Sequence, residues 1–216
     1  MMIEMARHYI EIFDKIIEPP FIILKPGISE EEYFKIANED ISCELIKGLL
    51  VIHSPASLKH ENIFQMLLTL LKHYLEATKY GKVIGSRFVM RLAADLIFEP
   101  ELLILMSDTL NKLNQTYLDG PADFLIEILS PSTRETDLVH KIPICLEKGV
   151  KEIWAIDPEA EELTVFILGE RPKTYSGNET VKSAVIKGFW IQLGWIWRTE
   201  EFNSLYCFNM IMESKR

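Results

Sequence analysis

The stretch from Asp123 to Leu129, DFLIEIL, decides how the rest of the chain is interpreted. Its apolar residues run almost without a break, which is typical of a strand buried on both faces of a sheet. Glu127 stands inside this run, between Ile126 and Ile128. Because a buried carboxylate needs a basic side chain or a metal ion beside it, Glu127 is the first candidate site residue. The alternative is a glutamate at a strand end that reaches solvent, and its apolar neighbours argue against that position.

The sequence around this strand predicts an α/β domain. Apolar and β-branched runs bounded by turn residues predict further strands at 43–46, 49–53, 82–84, 87–92, 98–106, 152–156, 163–168, 181–186 and 189–193. Apolar residues at helical spacing, with Ser29 and Ser57 as caps of the first two helices, predict helices at 30–38, 57–79 and 137–148.

The composition is that of a globular protein with one main domain. The chain has 216 residues, of which 48% are hydrophobic and 25% charged. Its formal net charge of -9 argues against strong non-specific binding to nucleic acid, which depends on lysine and arginine neutralising phosphates. A metal-dependent nuclease stays open, because clustered carboxylates make the total charge more negative.

Three segments are predicted along the chain. Residues 1–28 form an N-terminal extension with an amphipathic helix at 5–17, and residues 29–199 form the domain. Residues 200–216 form a C-terminal tail.

The cysteines and the hydropathy pattern predict a cytoplasmic location. Cys43, Cys145 and Cys207 are widely spaced and form no CxxC pair, so neither a zinc site nor a disulfide framework is indicated. Charged residues interrupt the first apolar residues, so no secretion signal is predicted. No apolar run reaches the length of a membrane span, and no membrane association is predicted.

A second acid occupies a setting similar to that of Glu127. Glu101 follows Pro100 directly and precedes the apolar residues of the predicted strand 98–106. If the two strands are neighbours, Glu101 and Glu127 meet at one mouth of the sheet. Two carboxylates there would bind a hard cation such as Mg²⁺, with the backbone carbonyl of Ile128 as a third ligand. A metal so held lowers the pKa of a bound water and neutralises charge on a phosphate.

Lys141, on the helix after DFLIEIL, is the candidate for a basic partner. A lysine close to the metal would stabilise the developing charge or orient the water. The alternative is an exposed ion pair with Asp137, four residues earlier on the same helix. Spacing alone favours the exposed pair.

Several blocks of the sequence, taken in order, resemble one known family. They are ELIKGLLVIHSP (44–55), the helix containing His60, FEPELLIL (98–105), LIEILSPSTRETDLVHK (125–141), EKGVKEIWAIDP (147–158) and KGFWIQL (187–193). These blocks resemble the Uma-type "putative restriction endonuclease" family of the PD-(D/E)xK nuclease superfamily, over residues 29–197. The resemblance implies a restriction-endonuclease-like core, a mixed β-sheet flanked by helices.

The resemblance also implies roles for individual residues. Glu101 matches the acid of the "PD" motif, and Glu127 matches the second acid. The usual place of the basic residue is taken by Leu129, and Lys141 matches a lysine displaced to the following helix. Glu44 matches an acid of the first block and is expected to assist the metal. His60 matches a frequent histidine, for which a surface position or a local hydrogen bond is preferred to a phosphate contact.

The implied activity is endonucleolytic hydrolysis of phosphodiester bonds, in DNA, with Mg²⁺ or Mn²⁺. Four departures weigh against it: Glu101 replaces an aspartate, Lys47 and Leu49 replace acids, and Pro143 interrupts the helix of Lys141 and is expected to delay or kink it. The second hypothesis is a catalytically weakened protein that serves as a binding or assembly module, with a homodimer as one form. Convergence of Glu101, Glu127 and Lys141 in one cleft would favour the enzyme.

Overall fold

The structure is a computed structural model that describes residues 10–12, 15–17, 22–37, 42–53, 56–85 and 88–214. In chain order its strands are β1 Ile10–Ile12, β2 Lys15–Ile17, β3 Ile22–Pro26, β4 Cys43–Ile46, β5 Leu49–His53, β6 Gly81–Gly85, β7 Val89–Ala93, β8 Leu96–Phe98, β9 Leu102–Met106, β10 Tyr117–Asp119, β11 Phe124–Ile128, β12 Glu152–Asp157, β13 Glu162–Ile167, β14 Lys173–Ser176, β15 Thr180–Lys182 and β16 Trp190–Gln192. The helices are α1 Glu30–Ile36, α2 Leu58–Thr78, α3 Arg134–Thr136, α4 Ile142–Glu147, α5 Leu193–Trp197 and α6 Ser204–Glu213. A 3-10 turn spans Leu110–Lys112 and a π-helical turn spans Asp137–Lys141.

Two six-stranded sheets form the frame of the domain. The first has the order β10-β7-β8-β4-β5-β3, and the second has the order β14-β13-β12-β11-β9-β6. In the second sheet β11 is parallel to β12 and antiparallel to β9, so the sheet is mixed. The predicted α/β class, with a mixed sheet flanked by helices, is confirmed.

β11 separates the two main hydrophobic clusters, because its side chains alternate between the faces of the sheet. Phe124, Ile126 and Ile128 join the cluster that contains the apolar side of α2. Leu125 and the following Leu129 join the second cluster, with residues of β8 and α4. Glu127 therefore lies on the face that looks toward the first sheet and α4.

The segment between Phe98 and Leu102 connects the two sheets. Sequence patterning predicts one strand over 98–106, and this prediction is wrong, because β8 ends at Phe98 in the first sheet and β9 begins at Leu102 in the second. Pro100 stands at the crossing, and its missing N–H cannot contribute to a strand ladder. Glu99 and Glu101 therefore lie in the segment that connects the two sheets.

The helix after β11 contains the irregularity expected from Pro143. The N–H of Ile142 bonds to the carbonyl of Asp137, five residues earlier, and α4 begins with Pro143 in its first turn. Because proline has no N–H for the carbonyl four residues earlier, a wider π-helical turn precedes it. The predicted helix 137–148 is thus a π-helical turn followed by α4.

The N-terminal part of the chain differs from the sequence expectation. Ile10–Ile12 and Lys15–Ile17 pair as antiparallel strands, so the helix predicted at 5–17 is wrong there, while residues 5–9 and 13–14 lie outside the described part. Alternating β-branched residues favour strands. β3 of the predicted extension pairs with β5, and α6 of the predicted tail buries Cys207 and Ile211 in the α2 cluster. Within the described residues, no helix combines the length and the apolar character that crossing a bilayer requires.

Candidate active site

Lys141 lies between two glutamates that belong to different sheets. Its Nζ is 2.6 Å from Oε1 of Glu44 and 3.0 Å from Oε2 of Glu127. The exposed fractions of Lys141, Glu44 and Glu127 are 3%, 1% and 4%. Two alternative predictions are therefore wrong. Lys141 does not form an exposed ion pair with Asp137, and Glu127 does not reach solvent.

The local structure explains how this contact arises. Glu44 is on β4 and Glu127 on β11, and one hydrophobic cluster contains Ile46 and Leu125 of these two strands. The π-helical turn ends at Lys141 and directs its side chain inward, where Nζ lies 5.9 Å from the centre of the Phe98 ring. Pro143 therefore does not prevent the inward orientation of Lys141.

Burial and neighbouring charges shift the pKa of both partners of the Glu127–Lys141 pair. Burial raises the pKa of Glu127 well above its usual range, Lys141 lowers it, and the charges of Asp137, Glu44 and Glu101 raise it further. Burial alone would lower the pKa of Lys141, but Glu127, Glu44 and Asp137 raise it well above its usual range. The raised pKa of Lys141 keeps its ammonium group charged beside Glu44 and Glu127.

Glu99 is a further acid of the cluster. Its backbone N–H donates to Oε1 of Glu44 at 2.9 Å, and its side chain accepts from the Ser42 hydroxyl at 3.0 Å. Burial raises the pKa of Glu99 to about 7, with the nearby charge of Glu44 adding to the effect and the Ser42 hydrogen bond opposing it. Sequence reasoning missed Glu99, although the paired acids of Phe98-Glu99-Pro100-Glu101 were a visible signal.

Glu101 contacts His60 of α2. Oε1 of Glu101 lies 3.1 Å from Nε2 of His60, and the Glu101 side chain is 33% exposed. Burial alone would lower the pKa of His60, but the contact and charge of Glu101, the charge of Glu61 and the Ile128 backbone raise it. His60 thus makes a local contact and is buried, so the surface position is wrong. Its position one turn before Ile63, on the apolar side of α2, was the signal for burial.

The structure therefore brings the predicted site residues together in one region. Lys141 is in direct contact with Glu44 and Glu127, and the charge of Glu101 raises the pKa of Glu127. Ile128 follows Glu127 on β11, and its backbone lies beside His60.

Comparison with known proteins places this arrangement in a family. The sequence profile of the family described as "Uma2: Putative restriction endonuclease" matches residues 30–194, more than half of the 216-residue chain. This chain belongs to the Uma2 family. Among curated protein sequences, none matches.

A solved structure supports the fold of this Uma2 chain. It is described as the crystal structure of "a putative nuclease belonging to DUF820 from Anabaena variabilis ATCC 29413", with 16% sequence identity and a TM-score of 0.71. The similarity covers 79% of the present chain and 97% of the other one. At this identity the comparison shows the shared fold.

Enzymes of the restriction-endonuclease-like class generally use a divalent metal ion, and the residues of this Uma2 chain are compatible with one. Oε1 of Glu127 is buried and has no hydrogen-bond partner, while Glu101 is partly exposed. In the part of the chain that the structure describes, no group of three or more histidine, cysteine or acidic side chains is placed so that it could hold a metal ion. Mg²⁺ does not require such a group, since it is usually bound by one or two carboxylates together with waters and substrate phosphates.

Proposed function

We propose that this protein is a metal-dependent endonuclease that hydrolyses phosphodiester bonds, with DNA as the substrate and Mg²⁺ or Mn²⁺ as the ion. The observation that carries the proposal is the contact of Lys141 with Glu127, whose other carboxylate oxygen is buried and has no hydrogen-bond partner. A buried carboxylate oxygen without a partner is costly, and a bound cation would remove that cost.

The surroundings of the Glu127 carboxylate support a bound cation. Glu127 is buried, its Oε1 has no hydrogen-bond partner, and Glu101 lies close enough to raise its pKa. An acid in a poorly solvated site either takes up a proton or needs a positive partner. A divalent ion supplies that positive charge, and oxygen ligands are the type that Mg²⁺ and Mn²⁺ prefer.

The proposed ligands are the carboxylates of Glu101 and Glu127 and the backbone carbonyl of Ile128. When bound, the ion lowers the pKa of a water ligand and offsets negative charge on the phosphate. Glu127 also holds Lys141 through its second oxygen, at 3.0 Å. One residue of β11 thus links the proposed metal position to the ammonium group.

Lys141 is proposed to stabilise negative charge at the phosphate or to orient the attacking water. Its ammonium group is already aimed by Glu44 and Glu127, so little reorganisation is needed when the substrate arrives. Glu44 acts on Lys141 and not as a metal ligand in this proposal, because its Oε1 is 2.6 Å from Nζ and also accepts the Glu99 N–H.

The burial of Lys141 favours the second candidate function. With 3% exposure and two carboxylates at its Nζ, the ammonium group is enclosed within the protein. In a catalytically weakened protein this cluster would serve the fold alone, and the chain would act as a binding or assembly module, with a homodimer as one form. The two functions differ in whether cleavage depends on Glu127.

The test is cleavage of supercoiled plasmid DNA, and of single-stranded RNA, by the full chain with Mg²⁺ or Mn²⁺. We expect metal-dependent nicking of the plasmid that Glu127→Gln lowers about 100-fold, since the change alters the carboxylate on which both the proposed metal ion and Lys141 depend. Glu162→Gln is the matched control, because Glu162 is exposed on β13. Equal cleavage by Glu127→Gln and Glu162→Gln would contradict the assignment, and cleavage of RNA alone would replace DNA as the substrate.

A further inference from the structure

His60 is buried in the first turn of α2. The Oγ of Ser57 caps the helix and accepts the backbone N–H of His60 at 3.2 Å. The imidazole lies on the same side of the helix as Ile63 and Leu67 and is 7% exposed. A buried side chain has little rotamer freedom, so it can support a neighbouring side chain.

The imidazole contacts two groups that the proposed function assigns to the metal. Its Nε2 is 3.1 Å from Oε1 of Glu101, which directly precedes β9. The backbone of Ile128, at the end of β11, is its other neighbour from the second sheet. His60 thus joins α2 to both strands that carry the proposed ligands.

Glu101 is the ligand that most needs such a support. Its side chain is 33% exposed, whereas Glu127 is held by Lys141 inside the protein. A glutamate loses more rotamer freedom on being fixed than a shorter acid, because it has an additional rotatable bond. The contact with His60 removes that freedom before the ion arrives.

We infer that His60 is a positioning residue, which holds the Glu101 carboxylate in place for the metal ion. This role rests on the proposed metal site, and it assigns to His60 an action through Glu101, not through direct contact with substrate. Groups that hold metal ligands by hydrogen bonds typically change metal affinity 10- to 100-fold when they are removed.

The test is Mn²⁺ binding to the full chain, measured by calorimetry and by electron paramagnetic resonance of the Mn²⁺ ion. His60→Asn places no donor at the Nε2 position, while His60→Gln places its amide nitrogen close to it. We expect His60→Asn to weaken Mn²⁺ binding about 10-fold or more and His60→Gln to restore most of the affinity. His73→Asn, at an exposed histidine of the same helix, is the matched control and should bind as the original chain does.

The outcomes separate this inference from the function on which it rests. If the original chain and Glu127→Gln bind Mn²⁺ equally, or neither binds it, both proposals fail. If Glu127→Gln alone loses binding and His60→Asn binds normally, only the role of His60 is overturned. Equal weakening by His60→Asn and His60→Gln also overturns it. Thermal unfolding in the presence of a chelator checks that the variants fold. If His60→Asn does not fold, His60→Met takes its place.

Discussion

The ammonium group of Lys141 lies 2.6 Å from the carboxylate of Glu44. Lys141 follows β11 of the second sheet, whereas Glu44 is far away in sequence and belongs to the first sheet. Both side chains are almost fully buried. The contact ties the turn after β11 to β4, so the lysine has this orientation only when the two sheets are packed together. The site and the packing of the two sheets are therefore coupled.

Replacing Lys141 by methionine should destabilise the fold strongly. The change leaves Glu44 and Glu127 buried without their ammonium partner, and breaking a buried ion pair from one side typically costs about 3 to 5 kcal/mol. Urea unfolding at neutral pH measures the loss. Lys148→Met, at an exposed lysine beyond α4, should change the free energy of unfolding by less than about 0.5 kcal/mol. A similar loss in both variants would contradict the coupling.

Binding of Mn²⁺ should stabilise the folded chain through Glu127. A ligand at about 100 times its dissociation constant adds about 2.7 kcal/mol to the free energy of unfolding when it binds the folded state alone. We expect a shift of this size in the original chain and in Glu162→Gln, and a much smaller one in Glu127→Gln. Denaturation with the ion or with a chelator checks it, and an undiminished shift in Glu127→Gln would argue against Glu127 as a ligand.

Replacing Glu101 by aspartate should weaken the metal site, although aspartate is the residue expected in the "PD" motif. The shorter side chain withdraws the carboxylate from Nε2 of His60, which it reaches at 3.1 Å. We expect Mn²⁺ affinity to fall about 10-fold, within the range for losing a support of a metal ligand. Calorimetry measures the change. Tighter Mn²⁺ binding by Glu101→Asp would contradict this prediction and would show that glutamate weakens metal binding at this position.

The stability of the fold should depend on pH through Asp123, which is buried next to β11. Burial alone would raise its pKa, but hydrogen bonds from Lys151, Thr109 and the Met106 N–H lower it. An acid with a lowered pKa contributes stability above its ordinary pKa of about 3.8 and loses the contribution as pH falls through the lower value.

Asp123→Asn should therefore lower the free energy of unfolding by about 1 to 3 kcal/mol at pH 7, because buried partners lose a carboxylate. The difference from the original chain should shrink as pH falls below about 4, where Asp123 of the unfolded chain takes up a proton, and should disappear below the lower pKa of the folded chain. Urea unfolding at pH 7, 5 and 3 measures it. A difference that stays constant over this range would contradict the role of the ionised carboxylate.

Much of the fold could be predicted from local pattern. The 3.6-residue spacing of apolar residues in α2 and the continuous apolar run of β11 are both recovered in the structure. These signals are local, because a helix or strand buries a face that its own sequence defines. The strand predicted over 98–106 failed for the converse reason. Both of its halves are apolar, and only their partners in separate sheets distinguish β8 from β9.

The residues of the site differ in the same way. The sequence alone determined that Glu127 is an acid within a buried strand, since its neighbours are apolar on both sides. It left Lys141 as an ordinary surface lysine until a family resemblance was considered, and it did not single out Glu99 or His60 as site residues. Their roles depend on contacts with Glu44 and Glu101, which lie in other parts of the chain.

Sequence therefore determined the α/β class, the long helix and the anomalous buried acid of DFLIEIL. Tertiary structure decided which charges meet there: Lys141 between Glu44 and Glu127, and His60 against Glu101. The physical reason is that the burial of a side chain can be predicted from the residues next to it in the sequence. Charge pairing depends instead on the distance between groups that only packing of the two sheets and α2 brings together.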